Sequence, residues 1–185
     1  MWLRDVEPTI YSATRWLAPV GGHLNGWLTG EVVQDHANAS CTLLYDLISR
    51  DWCQELVDHA GLDMARLPAI RPSCEVIGQL RPQAADALDL PRSCCVAVGT
   101  GDEHAAALGA GALAPGIVVD VAGTAEPVAV PSREAVIDEK RLVETHAHAV
   151  PDMLLIENPG FVSGGSTSWW AGTPRHITSG DVRVS

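Results

Sequence analysis

One segment constrains this chain more than any other. The apolar run Cys95-Val96-Ala97-Val98 stops at Gly99-Thr100-Gly101-Asp102, and the alanine-rich Ala105-Ala106-Ala107-Leu108 follows at once. Apolar residues, a glycine turn and a run of helix formers spell strand, turn and helix, the unit from which α/β sheets are built. This places Asp102 at the carboxyl end of a strand and beside a helix N-terminus, where open α/β sheets bind their ligands. Glycines on both sides of Thr100 admit close approach of another molecule. Spacing leaves two readings of Asp102 open: a general base or metal-linked carboxylate, and a plain helix N-cap, which aspartate commonly forms.

Other segments fit the same class. Before Cys94 the sequence reads as helices and loops. Ile10, Tyr11, Ala13, Trp16 and Leu17 stand at helical spacing after Asp5-Val6-Glu7-Pro8. Further helices are predicted from Asp51 to His59 and from Pro82 to Leu88, with an extended segment between Ser73 and Leu80. After Cys94 the pattern changes to strands. Ile117–Val121 and Pro127–Val130 flank Ala122-Gly123-Thr124-Ala125-Glu126 as a hairpin, and Leu142–Ala147 and Met153–Ile156 follow as two more strands. Gly160–Gly165 reads as a turn, and the residues after Trp170 as a frayed polar tail.

Several motifs carry chemistry on one reading and none on another. Gly109-Ala110-Gly111-Ala112-Leu113-Ala114 fits G-x-G-x-x-A, but it follows a helix and runs into Pro115-Gly116, so the dinucleotide context fails. Gly123-Thr124 is either a bare turn or a set of backbone N–H groups and a hydroxyl for phosphate oxygens. His146-x-His148 resembles the pair found in zinc hydrolases, with Asp102, His104 or Asp120 as partners. It equally suits polar residues on the wet face of a sheet. The six tryptophans are core or domain-contact residues, with one a candidate sugar platform.

Composition narrows the class. With 46% hydrophobic and 19% charged residues, the 185-residue chain can build a packed core. A net charge of −11 has the wrong sign for a phosphate-backbone binder, so nucleic acid is not an expected partner. No apolar run has the roughly 18 to 20 residues that cross a bilayer, and the start lacks a signal peptide's apolar stretch. A cytoplasmic protein without membrane contact is expected. The five cysteines form no Cys-x-x-Cys pair and read as reduced thiols, Cys94 and Cys95 as small buried hydrophobes. Lys140 is the only lysine.

In order along the chain, these segments resemble the FGGY carbohydrate kinases, and among them the xylulokinase-like members. The likeness lies in Leu24–Glu31, ending in Leu-Thr-Gly-Glu; in Asn38-Ala39-Ser40-Cys41-Thr42-Leu43-Leu44-Tyr45-Asp46 with Arg50-Asp51-Trp52; in Gly99–Gly111; in Ala122-Gly123-Thr124; and in Phe161–Ser166. The resemblance implies an α/β, actin-like (ribonuclease-H-like) fold of two domains closing over ATP and a sugar. Residues 1–114 would be the back part of the first, sugar-binding domain, 115–170 the front of the second, ATP-binding domain, and 171–185 an unmatched tail. It implies Asp102 as the base, Asp102 and Glu103 at the sugar, and Gly123, Thr124 and Gly164 at the phosphates of ATP, with Mg2+ accompanying the nucleotide. Glu103 stands where relatives often carry glutamine or asparagine. No resident metal ligand is assigned, and a homodimer is compatible.

Measured against that family, the segments that should precede Met1 and follow Trp170 are missing. The expectation is therefore a central fragment of a ketopentose kinase, incomplete at both ends and inactive alone. The alternatives are a non-enzymatic remnant or interaction module, and a zinc-dependent hydrolase built on His146 and His148.

Overall fold

The computed structural model describes residues 2–123, 126–158, 160 and 162–172. Its N-terminal part is made of short helices that frame small sheets. Trp2–Val6 and Pro8–Ala13 are separate helices, the second opened by its proline. The predicted continuation to Leu17 does not form. Thr14 turns extended, and the Arg66 guanidinium takes the carbonyls of Tyr11 and Thr14, each at 2.6 Å. The helix thus ends on a long-range partner that periodicity cannot show. The Val20–Thr29 helix stops at Gly30, left-handed at φ 96°.

Two sheets carry the site. Val33–Asp35 pairs in parallel with Ala69–Arg71 and is buried throughout, as parallel strands usually are. Val76–Gln79 pairs antiparallel with Cys95–Ala97. Against one end of this pair, Ala84 and Ala85 of the Pro82–Leu88 helix pack with Leu80, Leu28, Cys94 and Val96. Cys95 is exposed and Cys94 half-buried, which corrects the expectation of two buried thiols. Among the described residues Cys95–Ala97 pairs with Val76–Gln79 alone, so its other edge carries no strand.

The helix expected from Asp51 begins only at Gln54, because Asp51–Trp52 forms a strand with Tyr45–Asp46. Trp52 is held there by its indole N–H, which donates to the Pro68 carbonyl at 2.7 Å.

Beyond Gly116 the chain builds a four-stranded antiparallel sheet from Val119–Asp120, Val128–Ser132, Leu154–Asn158 and Glu144–Ala147, in that spatial order. The predicted hairpin is present, with Val119 opposite Ala129. Leu155, Ala129 and Ala147 are completely buried. Packing joins this sheet to the N-terminal part on two sides. Ala147 packs with Ala39 and Tyr45 while its N–H donates to Ser40 Oγ at 3.0 Å. On the other side, Ala107 of the Asp102–Gly109 helix packs on Val119. The turn predicted over Gly160–Gly165 is cut short, because a helix, Gly164–Gly172, already takes its last two residues. The tail from 173 lies outside the described residues.

Candidate active site

The loop that presents Asp102 is tied down from beneath by a residue the sequence reading did not select. Asp35 is 2% exposed and caps the His36–Ser40 helix, accepting from the Ala37 and Asn38 backbone N–H groups. Its carboxylate also accepts from Asn38 Nδ2 at 2.7 Å, Gln34 Nε2 at 2.8 Å, Thr100 Oγ1 at 2.8 Å and Ser73 Oγ at 3.5 Å. Asn25, also buried, donates to the Val98 carbonyl at 3.0 Å. Gly99 turns at φ 75°, a conformation that L side chains rarely adopt. A Cβ on Gly101 would stand 3.1 Å from Asn38 Oδ1. The turn is therefore fixed at Val98, Thr100 and Gly101 before the helix starts.

Gly101, not Asp102, is the N-cap of that helix. Asp102 is its first residue, exposed, and accepts the Glu103 backbone N–H at 3.0 Å. The simple capping explanation of Asp102 is therefore displaced by one residue. The carboxylate points from the end of a strand and a helix N-terminus into solvent-accessible space.

Glu103 turns the other way, toward the four-stranded sheet. There it meets Glu157 and His146. His146 Nε2 lies 3.1 Å from Glu144 Oε2 and 3.2 Å from Glu157 Oε1, and its Nδ1 is 3.6 Å from Cys41 Sγ. Burial, then the hydrogen bond and charge of Glu157, push the Glu103 carboxyl well above the usual range. Burial acts in the same sense on Glu157, but hydrogen bonds from His146 and Glu103 outweigh it and hold Glu157 low. For His146, burial favours the neutral ring, and the hydrogen bonds to Cys41 and Glu157 overcome it and raise the imidazole. Buried His104, edge-on to His146 at 6.4 Å between centroids, is lowered by burial.

The alternative His146–His148 partnership does not assemble. The strand ends at Ala147, so the two-residue alternation stops before His148, whose Nδ1 accepts the Val150 N–H at 2.9 Å. Among the described residues, the three ligand atoms that come together belong to Glu144, His146 and Glu157, without His148, Asp102, His104 or Asp120.

Gly123 and Gly164 do meet. The Gly164 N–H donates to the Gly123 carbonyl at 3.0 Å. A Cβ on Gly164 would lie 2.5 Å from that oxygen, so only glycine lets the turns touch. Thr124 lies outside the described residues. Gly164→Ala is expected to destabilise the chain by about 1–3 kcal/mol through overpacking, read as a shift in urea midpoint.

Comparison with known proteins then decides the family. The N-terminal domain of the FGGY family of carbohydrate kinases matches residues 1–109. The chain belongs to the FGGY family of carbohydrate kinases.

The autoinducer-2 kinase of Salmonella typhimurium is 29% identical over 170 residues, covering 92% of this chain and 32% of that protein. The crystal structure of xylulose kinase from Rhodospirillum rubrum, 29% identical, superposes with a TM-score of 0.82 over 92% of this chain and 34% of its own. Plasmodium falciparum glycerol kinase with ADP, at 19% identity and TM-score 0.78 over 91% of this chain and 35% of its own, shares the fold. The chain thus spans about a third of the length of the kinases it matches, and has the α/β, actin-like architecture of FGGY sugar kinases over that part. No described helix is long and apolar enough to cross a membrane.

Among the residues that sequence reasoning passed over, Asp35 had a readable signal. It precedes His36-Ala37-Asn38 as an N-cap aspartate precedes its helix. Glu144, Glu157 and Cys41 had none, because strand register and packing bring them together.

Proposed function

We propose that this chain contributes the sugar-facing loop and part of the nucleotide cleft to an ATP-dependent sugar kinase, with Asp102 as general base. Membership of the FGGY family supports the reaction class. The observation that carries the role of Asp102 is its place: exposed, first in its helix, on a loop fixed by Asp35 and Asn25. In the proposed step an Asp102 carboxylate oxygen takes the proton of a sugar hydroxyl as that oxygen attacks the γ-phosphorus of Mg·ATP. The new O–P bond forms as the bond to the β,γ-bridging oxygen breaks, giving sugar phosphate and ADP. Such transfers depend on positioning and charge neutralisation more than on covalent help.

Gly123 and Gly164 would hold the phosphates, where backbone meets backbone with no room for a side chain; Thr124 would add its hydroxyl. Glu103, the neighbour that the resemblance also places at the sugar, turns its carboxyl to Glu157 instead, so the sugar contact is proposed for Asp102 alone. Residues 1–114 and 115–170 would belong to the two domains that close over the substrates. The substrate class we favour is a ketopentose such as xylulose, phosphorylated at O5, in the cytoplasm. The xylulose kinase among the similar structures supports such an acceptor.

The test is ATP consumption by the purified chain with ketopentoses and pentitols. Because the chain matches about a third of its relatives, no sugar-dependent turnover is expected from it alone. Turnover is expected once the flanking segments of a full-length relative are joined to it. Failure of the joined protein with every sugar would overturn the reading.

A further inference from the structure

The sheet behind the Asp102 helix holds a cluster that phosphoryl transfer does not use. Glu144 and Glu157 stand directly opposite each other on antiparallel strands, an arrangement of like charges that destabilises a sheet. Between their carboxylates sits one imidazole nitrogen, His146 Nε2, at 3.1 and 3.2 Å. A single N–H points at one acceptor well, not at two. Glu103 brings a third carboxylate to the same place. Independently of these contacts, Glu157 is only 6% exposed, and neither its second oxygen nor Glu103 Oε1 meets an N–H or hydroxyl donor, so without a cation the two carboxyls bond only to each other, through a shared proton. Neighbouring His104, 4% exposed, also leaves Nε2 without a partner.

We propose that Glu144, His146 and Glu157 bind a divalent cation of the zinc class, with an open coordination position on the side of Glu103. Two of the ligand-to-ligand separations fit. Bonds of about 2.0 Å to a tetrahedral ion set neighbouring ligand atoms about 3.3 Å apart, close to the 3.1 and 3.2 Å seen from Nε2. Imidazole with carboxylates suits zinc or cobalt better than magnesium, which prefers octahedral oxygen and water. With Nε2 on the ion, Nδ1 carries the ring proton toward Cys41 Sγ at 3.6 Å, an outer partner that fixes the tautomer. Cys41 borders the His36–Ser40 helix and Glu103 lies on the Asp102 helix, so a cation here would staple the sheet to both. The site uses none of the phosphate turns and does not include His148.

The experiment uses the full 185-residue chain, stripped of metal, titrated with Co2+ and then with Zn2+ against a chromophoric chelator. The expected result is one ion per chain, with the visible bands of four-coordinate Co2+ displaced by Zn2+ and no competition from Mg2+. Glu144→Gln alters a half-exposed side chain, so the fold survives it. That variant and His146→Gln should each weaken Zn2+ at least 30-fold. His148→Ala should bind as the parent does, and Cys41→Ser should bind about 10-fold more weakly with the stoichiometry kept. Absence of binding, or equal binding by Glu144→Gln and His146→Gln with circular dichroism unchanged, would overturn the site. The cluster would then be a proton-sharing carboxyl pair beside an imidazolium. Since the readout is metal content and spectrum, it stands apart from the kinase reading.

Discussion

Asp102→Asn is expected to lower sugar-dependent turnover of the joined kinase about 10²- to 10⁴-fold while leaving the fold intact, the range set by general-base catalysis. The amide keeps the size and the hydrogen bond to the Glu103 N–H but cannot take the hydroxyl proton. Because the lost interaction belongs to the transition state, kcat and kcat/KM should fall together, with the KM for ATP little changed. Stability should move by less than about 0.5 kcal/mol, since the side chain is exposed and is not the N-cap. Steady-state kinetics and a urea melt on the same variant check both halves. Unchanged kcat would remove Asp102 from the mechanism.

Asp35→Ala is expected to be the most destabilising single substitution in the N-terminal part, at about 2–4 kcal/mol, because several buried donors lose their one acceptor. Deleting this carboxylate strands the Ala37 and Asn38 N–H groups and the side chains of Gln34, Asn38, Ser73 and Thr100. Buried donors left without an acceptor cost more than a hydrogen bond contributes when made. Asp35→Asn keeps one acceptor oxygen and should recover part of the loss. Thr100→Val removes a single donor and should cost about 1 kcal/mol. Asp35→Ala and Thr100→Val together should cost less than the sum of the two, because they share one bond. Urea unfolding of the four proteins measures this; additive effects would show that Asp35 and Thr100 act separately. In the joined kinase, Thr100→Val should also lower kcat more than ATP binding, since the loop it anchors carries Asp102.

The strand, turn and helix around Asp102 were legible because each is a local choice. Apolar residues with a β-branched majority after Cys95 favour a strand, Gly99 supplies a positive φ, and alanines propagate a helix. The Pro82–Leu88 helix and the hairpin around Gly123 were legible for the same reason. Where local signals misled, a distant partner had taken over. Arg66 ends the first helices early by capturing Tyr11 and Thr14, and the Pro68 carbonyl holds Trp52 in a strand that the spacing assigns to a helix. His146 and His148 look equivalent in sequence, but the strand ends between them.

By itself, then, the sequence determined the family, the α/β class and the strand, glycine turn and helix that carry Asp102, all of which are written in contiguous residues. Only the tertiary structure decided which groups control them. Asp35 reaches Thr100 across 65 positions and Cys41 reaches His146 across 105. Glu144 and Glu157 are neighbours through strand register alone. Separations of that length carry no periodicity or motif; they are set when burial of the sheets brings the charged groups together and requires each of them to find a partner.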